Sequence, residues 1–430
     1  MATCKLYQHP VRIDKNMLRV AMISYHTCPL ATLGGKDTGG MNVYVRDLTC
    51  YLGHLGVHVD VFTRSQDDHV PHILHDLGYG NRVVHIPAGP ETWLPKPQVA
   101  GYLPEFTQGI LQFATEKKQP YDIIHSHYWM SGITARDLKS AWQVPFVHMF
   151  HTLGLMKNRI ASSEAEMEGS YRAEGEMNVL QNADRVVVAT AAEQSQLEFL
   201  YHADSRKLTI IPPGVDHEHF YPIPADEAKA FIGIPPDARM LLFVGRIEPL
   251  KGVDNLIRAI ARLNAAGIPF GCPQYCLSII GGEPDASPQD MDGEMQRLQN
   301  LCQELGLSDM VVFLGRRNQD SLPYYYSAAE VVVMPSHYES FGMVALEAMA
   351  CGIPVVASQV GGLAYLVKDG VTGYVVPDGD IDALSDCLMT LLTDPQKRQQ
   401  MAERAAEDAL NYTWEKISTR ILDLYKCILK

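Results

Sequence analysis

Residues 335–358, PSHYESFGMVALEAMACGIPVVAS, sit between two strand-like runs and leave this part of the chain little choice of architecture. A β-branched run at 330–334 precedes the helix-like stretch and a second apolar run at 353–357 closes it, with roughly one helix's length between them. The spacing predicts a β-α-β unit. Ser340 is placed to cap the helix, Gly352 to end it and Pro354 to prevent its continuation. Glu339 then stands just before the helix and Glu347 about two turns into it. In open parallel sheets, ligands bind beyond the carboxyl ends of the strands, where a helix N-terminus presents unpaired N–H groups. Glu339 and the Ser340-Phe341-Gly342 backbone are expected there.

The same alternation runs through the rest of the chain and assigns it to the α/β class. Apolar runs at 18–24, 58–63, 82–86, 121–129, 144–152, 185–189 and 208–211 read as strands. Pro212-Pro213-Gly214-Val215-Asp216 reads as a domain boundary, after which strands at 240–244, 276–282 and 310–315 restart the rhythm. A length of 430 residues is too great for one ordinary core, so two large domains are expected, 1–215 and 216–412. Helices are expected at about 381–392, 395–409 and 414–429.

Charge and composition narrow the function classes. The net charge of −14 disfavours nonspecific nucleic-acid binding, which needs basic surface to displace counterions from phosphates. Any anionic ligand must be met by local cations. No stretch approaches eighteen uncharged apolar residues, so no transmembrane segment is expected. The opening MATCKLYQHPVRIDKN lacks the apolar core of a secretory signal, and a cytoplasmic location is expected. The nine cysteines show no CxxC pairing or zinc-like spacing, so neither a disulfide framework nor a bound metal is expected.

Several residues carry chemistry in this frame. Gly34, Gly35, Gly39 and Gly40 precede an amphipathic helix and would let backbone amides approach an anion or sugar, although such loops are also ordinary turns. A proline-rich loop at 87–104 carries Lys96. His125, His127, Tyr128 and Trp129 end one strand, and His151 and Thr152 end the next. His151 suits a hydrogen-bonding or acid/base role, or a histidine satisfied by backbone. Lys157, Arg159 and Arg172 lie on a stretch rich in glutamates, Glu164, Glu166, Glu168, Glu174 and Glu176, that reads mostly as solvated helix. Lys157 and Arg172 could share a phosphate if the intervening loop folds back. In the second half, Arg246 and Lys251 flank a turn just before the helix at 253–266, a combination of charge and amides suited to diphosphate.

Taken together, GGKDTGGMNVYV, HTLGLMK, PPGVD, GRIEPLKG and ESFGMVALEAMACGIPVV resemble the retaining glycosyltransferases of the GT-B fold, over nearly the whole length. The likeness is greatest to the members that glycosylate small phosphorylated acceptors, sucrose-phosphate synthase and the inositol-phosphate N-acetylglucosaminyltransferase of mycothiol synthesis. It implies two facing Rossmann-like domains with a cleft between them, the first holding acceptor, the second holding a UDP-sugar donor, and a last helix at about 413–430 returning to the first. It implies that Arg246 and Lys251 hold the donor diphosphate and Glu339 the donor sugar. Ser340, Phe341 and Gly342 would bind the donor beside it, Glu347 the ribose and Gly40 the donor phosphate, with His151 beside the reacting centre. For the acceptor it implies Asn42, Lys96, Tyr128, Thr152, Lys157 and Arg172. It implies no required cofactor or metal, a phosphorylated small-molecule acceptor, and leaves room for a homo-oligomer. GGMNVYV leans toward the inositol-phosphate enzymes, while DTGG, HTLG with Lys157, and PPGVD lean toward sucrose-phosphate synthase. The rival readings are transfer to a lipid or polysaccharide acceptor, and a noncatalytic nucleotide-sugar sensor.

Overall fold

The computed structural model describes residues 17–31, 38–118, 120–161, 164, 167–268, 275–284 and 293–430. Gly34 and Gly35 of the glycine-rich loop lie outside the described residues. The chain divides into two compact units, one taking the described residues up to Gly214 together with the segment from Trp414 onward, the other taking Val215–Thr413.

The first unit is built on an eight-stranded sheet. Its strands are β1 (Arg19–Ile23), β2 (His58–Arg64), β3 (Ile73–Leu74), β4 (Arg82–Ile86), β5 (Ile123–His127), β6 (Phe146–Met149), β7 (Arg185–Val188) and β8 (Leu208–Ile210). They lie in the order β3-β4-β2-β1-β5-β6-β7-β8. All neighbours are parallel except β3, a two-residue antiparallel edge that the sequence pattern does not reveal. Val20, Ala21, Met22 and Ile23 of β1 are wholly buried, as expected of a strand covered on both faces. The helix Trp414–Ile428 belongs to this unit and buries Trp414, Ile417, Ile421, Leu424 and Tyr425.

The second unit carries β9 (Arg239–Val244), β10 (Tyr275–Ile280), β11 (Val311–Gly315), β12 (Ala329–Met334), β13 (Val355–Ser358) and β14 (Gly373–Val376). All are parallel, in the order β11-β10-β9-β12-β13-β14. That is the doubly wound order, whose direction reverses between β9 and β12. In the first unit the reversal falls between β1 and β5. Crevices at the carboxyl ends of these strand pairs are where such sheets accept ligands.

Three local expectations are corrected. The helix after β12 runs Met343–Ala350 with Gly342 as its N-cap, so Ser340 is not the cap but part of the loop. Glu347 therefore lies little more than one turn into the helix rather than two. Gly342 has φ 107°, a conformation that lets the loop turn sharply into the helix and that a serine avoids. The strands expected at 121–129 and 144–152 end earlier, at His127 and Met149. Tyr128 and His151, just beyond them, have φ 72° and 63°. Positive φ in bulky residues costs free energy and breaks the extended backbone just past each strand end.

Candidate functional site

In the second unit, two loops meet at the reversal point. The loop after β9 carries Arg246 and Lys251 and ends at Gly252, the N-cap of helix Val253–Ala265. The loop after β12 carries Glu339, Ser340, Phe341 and Gly342. His337 N–H donates to the Leu250 carbonyl at 2.9 Å and ties one loop to the other. A side chain at Gly252 would lie 2.1 Å from the Pro335 carbonyl oxygen, and φ there is +61°, so space and backbone both demand glycine. Gly361 does the same beneath Glu339, where a Cβ would come within 1.9 Å of its carbonyl oxygen.

This packing places Lys251 Nζ 2.6 Å from Glu339 Oε2, each side chain 17% exposed. Arg246 pairs with Glu248 at 2.8 Å and remains 42% exposed. Ser340 is partly buried, and Phe341 packs on Tyr412 with ring centres 6.0 Å apart. Glu347 lies behind, the one charged residue of an otherwise apolar helix whose residues from Ala345 to Ala350 are all buried. It accepts a hydrogen bond from the Tyr326 hydroxyl at 2.7 Å, which helps compensate its burial. Lys251 and Glu339 are thus brought into contact, with residues 340–342 following Glu339; Arg246 pairs with Glu248 on the loop that also carries Lys251, and Glu347 is engaged with Tyr326.

In the first unit the acceptor-side residues of the sequence analysis converge. Arg172, 1% exposed, donates from Nη2 to Thr152 Oγ1 at 2.9 Å and to the Thr152 carbonyl at 3.2 Å, and from Nε to Glu176 at 2.9 Å. Its Nη1 donates to Glu168 Oε1, and Lys157 Nζ reaches the same oxygen at 3.1 Å. The Tyr128 ring lies under two cations, Arg172 at 5.1 Å and Lys96 at 5.8 Å. Lys96 opens a short helix, Lys96–Val99, after Pro95. Burial and the charge of Arg172 push the Lys157 ammonium below its ordinary pKa. Burial alone would raise Glu168, but the Arg172 and Lys157 charges outweigh it and hold the carboxyl below its ordinary range.

The solvated reading of this stretch holds at Glu164 and Glu174, which are exposed, and fails at Arg172 and Glu176; Glu166 lies outside the described residues. Arg172 and Glu176 are buried, and Glu176 also accepts from Gly154 N–H and from the Tyr201 hydroxyl. Asn158 ties the main chain at Glu168 back, accepting from its N–H at 2.7 Å and donating to its carbonyl at 3.0 Å. The four-residue spacing from Arg172 to Glu176 was the available signal, because it puts both on one face of the helix Ser170–Asn182, whereas Glu168 lies just before it.

His151 is bonded to His127, Nε2 to Nδ1, at 3.0 Å, and Tyr44 packs edge-on against it at 5.2 Å. Burial lowers its pKa to about 3, so near neutrality the ring is uncharged. That favours hydrogen bonding over acid catalysis. His125 and His148 are wholly buried, more so than His151, and His125 is held by the Tyr425 hydroxyl at 2.6 Å. Gly40 begins helix Gly40–His54. Asn42 stitches that helix to the loop after β1: its Oδ1 accepts from Gly39 N–H, and its Nδ2 donates to Thr27 Oγ1 and the Cys28 carbonyl, each at 2.7 Å. Among the described residues, the three potential metal ligands that come within reach of one ion are Asp67, Asp68 and His69, all exposed and none of them a residue of these clusters.

Comparison with known proteins agrees with this division. Residues 39–214 match the glycosyl transferase 4-like domain and residues 224–408 match glycosyl transferases group 1. A D-inositol 3-phosphate glycosyltransferase of Actinosynnema mirum is 40% identical, over 95% of this chain and 97% of that protein. The structure of sucrose-phosphate synthase from Thermosynechococcus elongatus superposes with a TM-score of 0.86 at 35% identity, covering 96% of this chain and 99% of that one. Anabaena HepE, solved with UDP and glucose, shares the fold at 21% identity and a TM-score of 0.72, covering 95% of this chain and 100% of its own.

Proposed function

This chain belongs to the group 1 glycosyltransferases of the GT-B fold, and from that premise we propose that it moves a hexosyl group from a UDP-sugar to a small phosphorylated acceptor with retention at the anomeric carbon. One observation carries the acceptor assignment. In the first unit Lys96 and Arg172 both lie over the Tyr128 ring, Arg172 also bonds Thr152, and Lys157 and Arg172 share Glu168, which supports reading these residues as one anion site. Two ammonium groups, a guanidinium and a hydroxyl suit a dianionic phosphate, which in a chain of net charge −14 must be met by local cations. Inositol 3-phosphate is the acceptor that a relative's name suggests, and fructose 6-phosphate the one that the resemblance to sucrose-phosphate synthase implies.

On the donor side, Arg246 and Lys251 would supply fixed positive charge to the diphosphate as it leaves. The bond from the anomeric carbon to the diphosphate oxygen breaks, the acceptor oxygen bonds to that carbon on the same face, and the acceptor proton passes to the departing phosphate oxygen. No protein nucleophile is required by this scheme. Glu339 would accept hydrogen bonds from donor hydroxyls, with the 340–342 loop beside it, and Glu347 from the ribose. His151, uncharged, would serve as a hydrogen-bonding group beside the reacting sugar. Gly40 would let the donor phosphate approach, and Asn42 would hold the neighbouring loop in shape.

The test is to supply UDP-glucose or UDP-N-acetylglucosamine with inositol 3-phosphate, fructose 6-phosphate and unphosphorylated inositol and fructose, reading UDP release and the anomeric configuration of the product by NMR. Release with a phosphorylated acceptor and an α product supports the reading. An inverted product, or UDP binding without turnover on the whole panel, contradicts it.

A further inference from the structure

The acceptor-side cations are not idle: a carboxylate of the protein already stands among them. Lys157 Nζ and Arg172 Nη1 converge on the same oxygen, Glu168 Oε1. The charge of Lys96 also acts on this carboxyl. One carboxylate oxygen thus holds the position in which those donors would meet a phosphate oxygen.

Its attachment differs from that of the other acid in the cluster. Glu176 is wholly buried and locked by Arg172, Tyr201 and the Gly154 amide, so it has structural partners on both oxygens. The main chain of Glu168 is held by the two Asn158 hydrogen bonds, and its carboxylate by the two cations themselves, Lys157 and Arg172. Its side chain remains 23% exposed, which gives the carboxylate a way out to water by rotation about its own bonds. Arg172 would keep Glu176 and Thr152 throughout, so losing Glu168 would leave it oriented.

We propose that Glu168 is an internal counter-anion that occupies the phosphate position of the acceptor site, and that a phosphorylated acceptor binds by displacing its carboxylate from Lys157 and Arg172. This rests on the phosphorylated-acceptor reading above and adds how that site selects. A neutral hydroxyl or a singly charged carboxylate offers the two cations no more than Glu168 does, whereas a dianion offers two charges and three oxygens. The exchange screens the cations until a dianion arrives, and it makes discrimination against unphosphorylated acceptors greater than the affinity alone.

The experiment compares wild type with Glu168→Gln, which keeps the shape and removes the charge, and with Glu168→Asp, whose shorter side chain cannot reach both cations. Binding of inorganic phosphate is measured by titration calorimetry, and KM and kcat are measured for the phosphorylated acceptor and for the UDP-sugar. Glu168→Gln is expected to bind phosphate about tenfold more tightly than wild type, with Glu168→Asp between them. KM for the phosphorylated acceptor is expected to fall while that for UDP-sugar stays unchanged. If Glu168 instead orients the cations, phosphate binding weakens in both variants, and that result, or no change, overturns the proposal while wild-type turnover of phosphorylated acceptors still upholds the functional reading. Absence of both phosphate binding and phosphate-dependent turnover in wild type overturns the two together.

Discussion

The two charged clusters, both proposed to grip an anionic substrate, are built by different means. In the first unit Arg172 is 1% exposed and its guanidinium is divided among Glu168, Glu176 and Thr152. In the second, Arg246 is 42% exposed and paired with Glu248, and Lys251 meets Glu339 at 17% exposure. The first cluster is anchored on the buried pair Arg172 and Glu176, whereas the second is carried by the loops that follow β9 and β12. Buried charge is rigid and selective, but removing one partner leaves the other uncompensated. Loop charge contributes little to stability and can be committed almost wholly to substrate. The contrast fits an enzyme that must choose its acceptor narrowly while holding and releasing a nucleotide at every turnover.

Substitutions test this contrast, beginning with the largest effect. Arg172→Ala is expected to destabilise the first unit by about 3–5 kcal/mol, because it strands the buried Glu176, and to abolish use of phosphorylated acceptors. Urea unfolding checks the first part, and an unchanged midpoint would erase the distinction between the clusters. Lys251→Ala should do the reverse, lowering kcat by about 10²–10³ while moving the unfolding free energy by less than about 1 kcal/mol. A loss of stability there comparable to that of Arg172→Ala would show that the donor loop is as structural as the acceptor cluster.

A pH series sharpens the comparison further. His125, His127, His148 and His151 in the first unit are all held uncharged by burial, His125 and His151 with pKa lowered to about 3. Unfolded, each would bind a proton below about pH 6.5, so the unfolded chain takes up more protons and stability declines as pH falls from 6.5. Each group costs about 1.4 kcal/mol per pH unit once below that value. Glu193, raised by burial to about 7, and Glu176, also raised by burial, act oppositely because the folded state binds their protons. Four histidines outweigh the two acids, and the urea midpoint is expected to drop between pH 6.5 and 5. A flat profile would mean that these rings are hydrated or paired when folded. The smallest effect is expected at Glu347, where Tyr326→Phe removes one hydrogen bond to a buried carboxylate and should cost about 1 kcal/mol of stability, with a modest rise in KM for the donor.

What could be read from the sequence follows from what is local. Twelve of the strands coincide with apolar runs of the chain, and Gly252 and Gly361 mark turns that any side chain would block. Glu339, Arg246 and Lys251 could be singled out because each lies within a few residues of a strand end. The acceptor cluster was harder. Its cations are spread from Lys96 to Arg172, and only the fold-back secured by Asn158 brings Glu168 onto Lys157. Composition misjudged the glutamate-rich stretch for the same reason: Glu176 looks like surface until Tyr201 and Gly154 are seen around it. The placement of Ser340 failed on a glycine's left-handed backbone, which propensity does not anticipate.

The most direct measurement of the central claim is the ratio of kcat/KM for a phosphorylated acceptor to that for its unphosphorylated counterpart, with UDP-sugar saturating, in wild type and in Lys96→Ala. Lys96 stands over Tyr128 at the edge of the cluster and can be removed without stranding the buried Glu176. The ratio is expected to exceed about 10³ in wild type and to fall at least tenfold in the variant. A wild-type ratio near one, or a ratio indifferent to Lys96, would contradict the assignment of this cluster to the acceptor's phosphate.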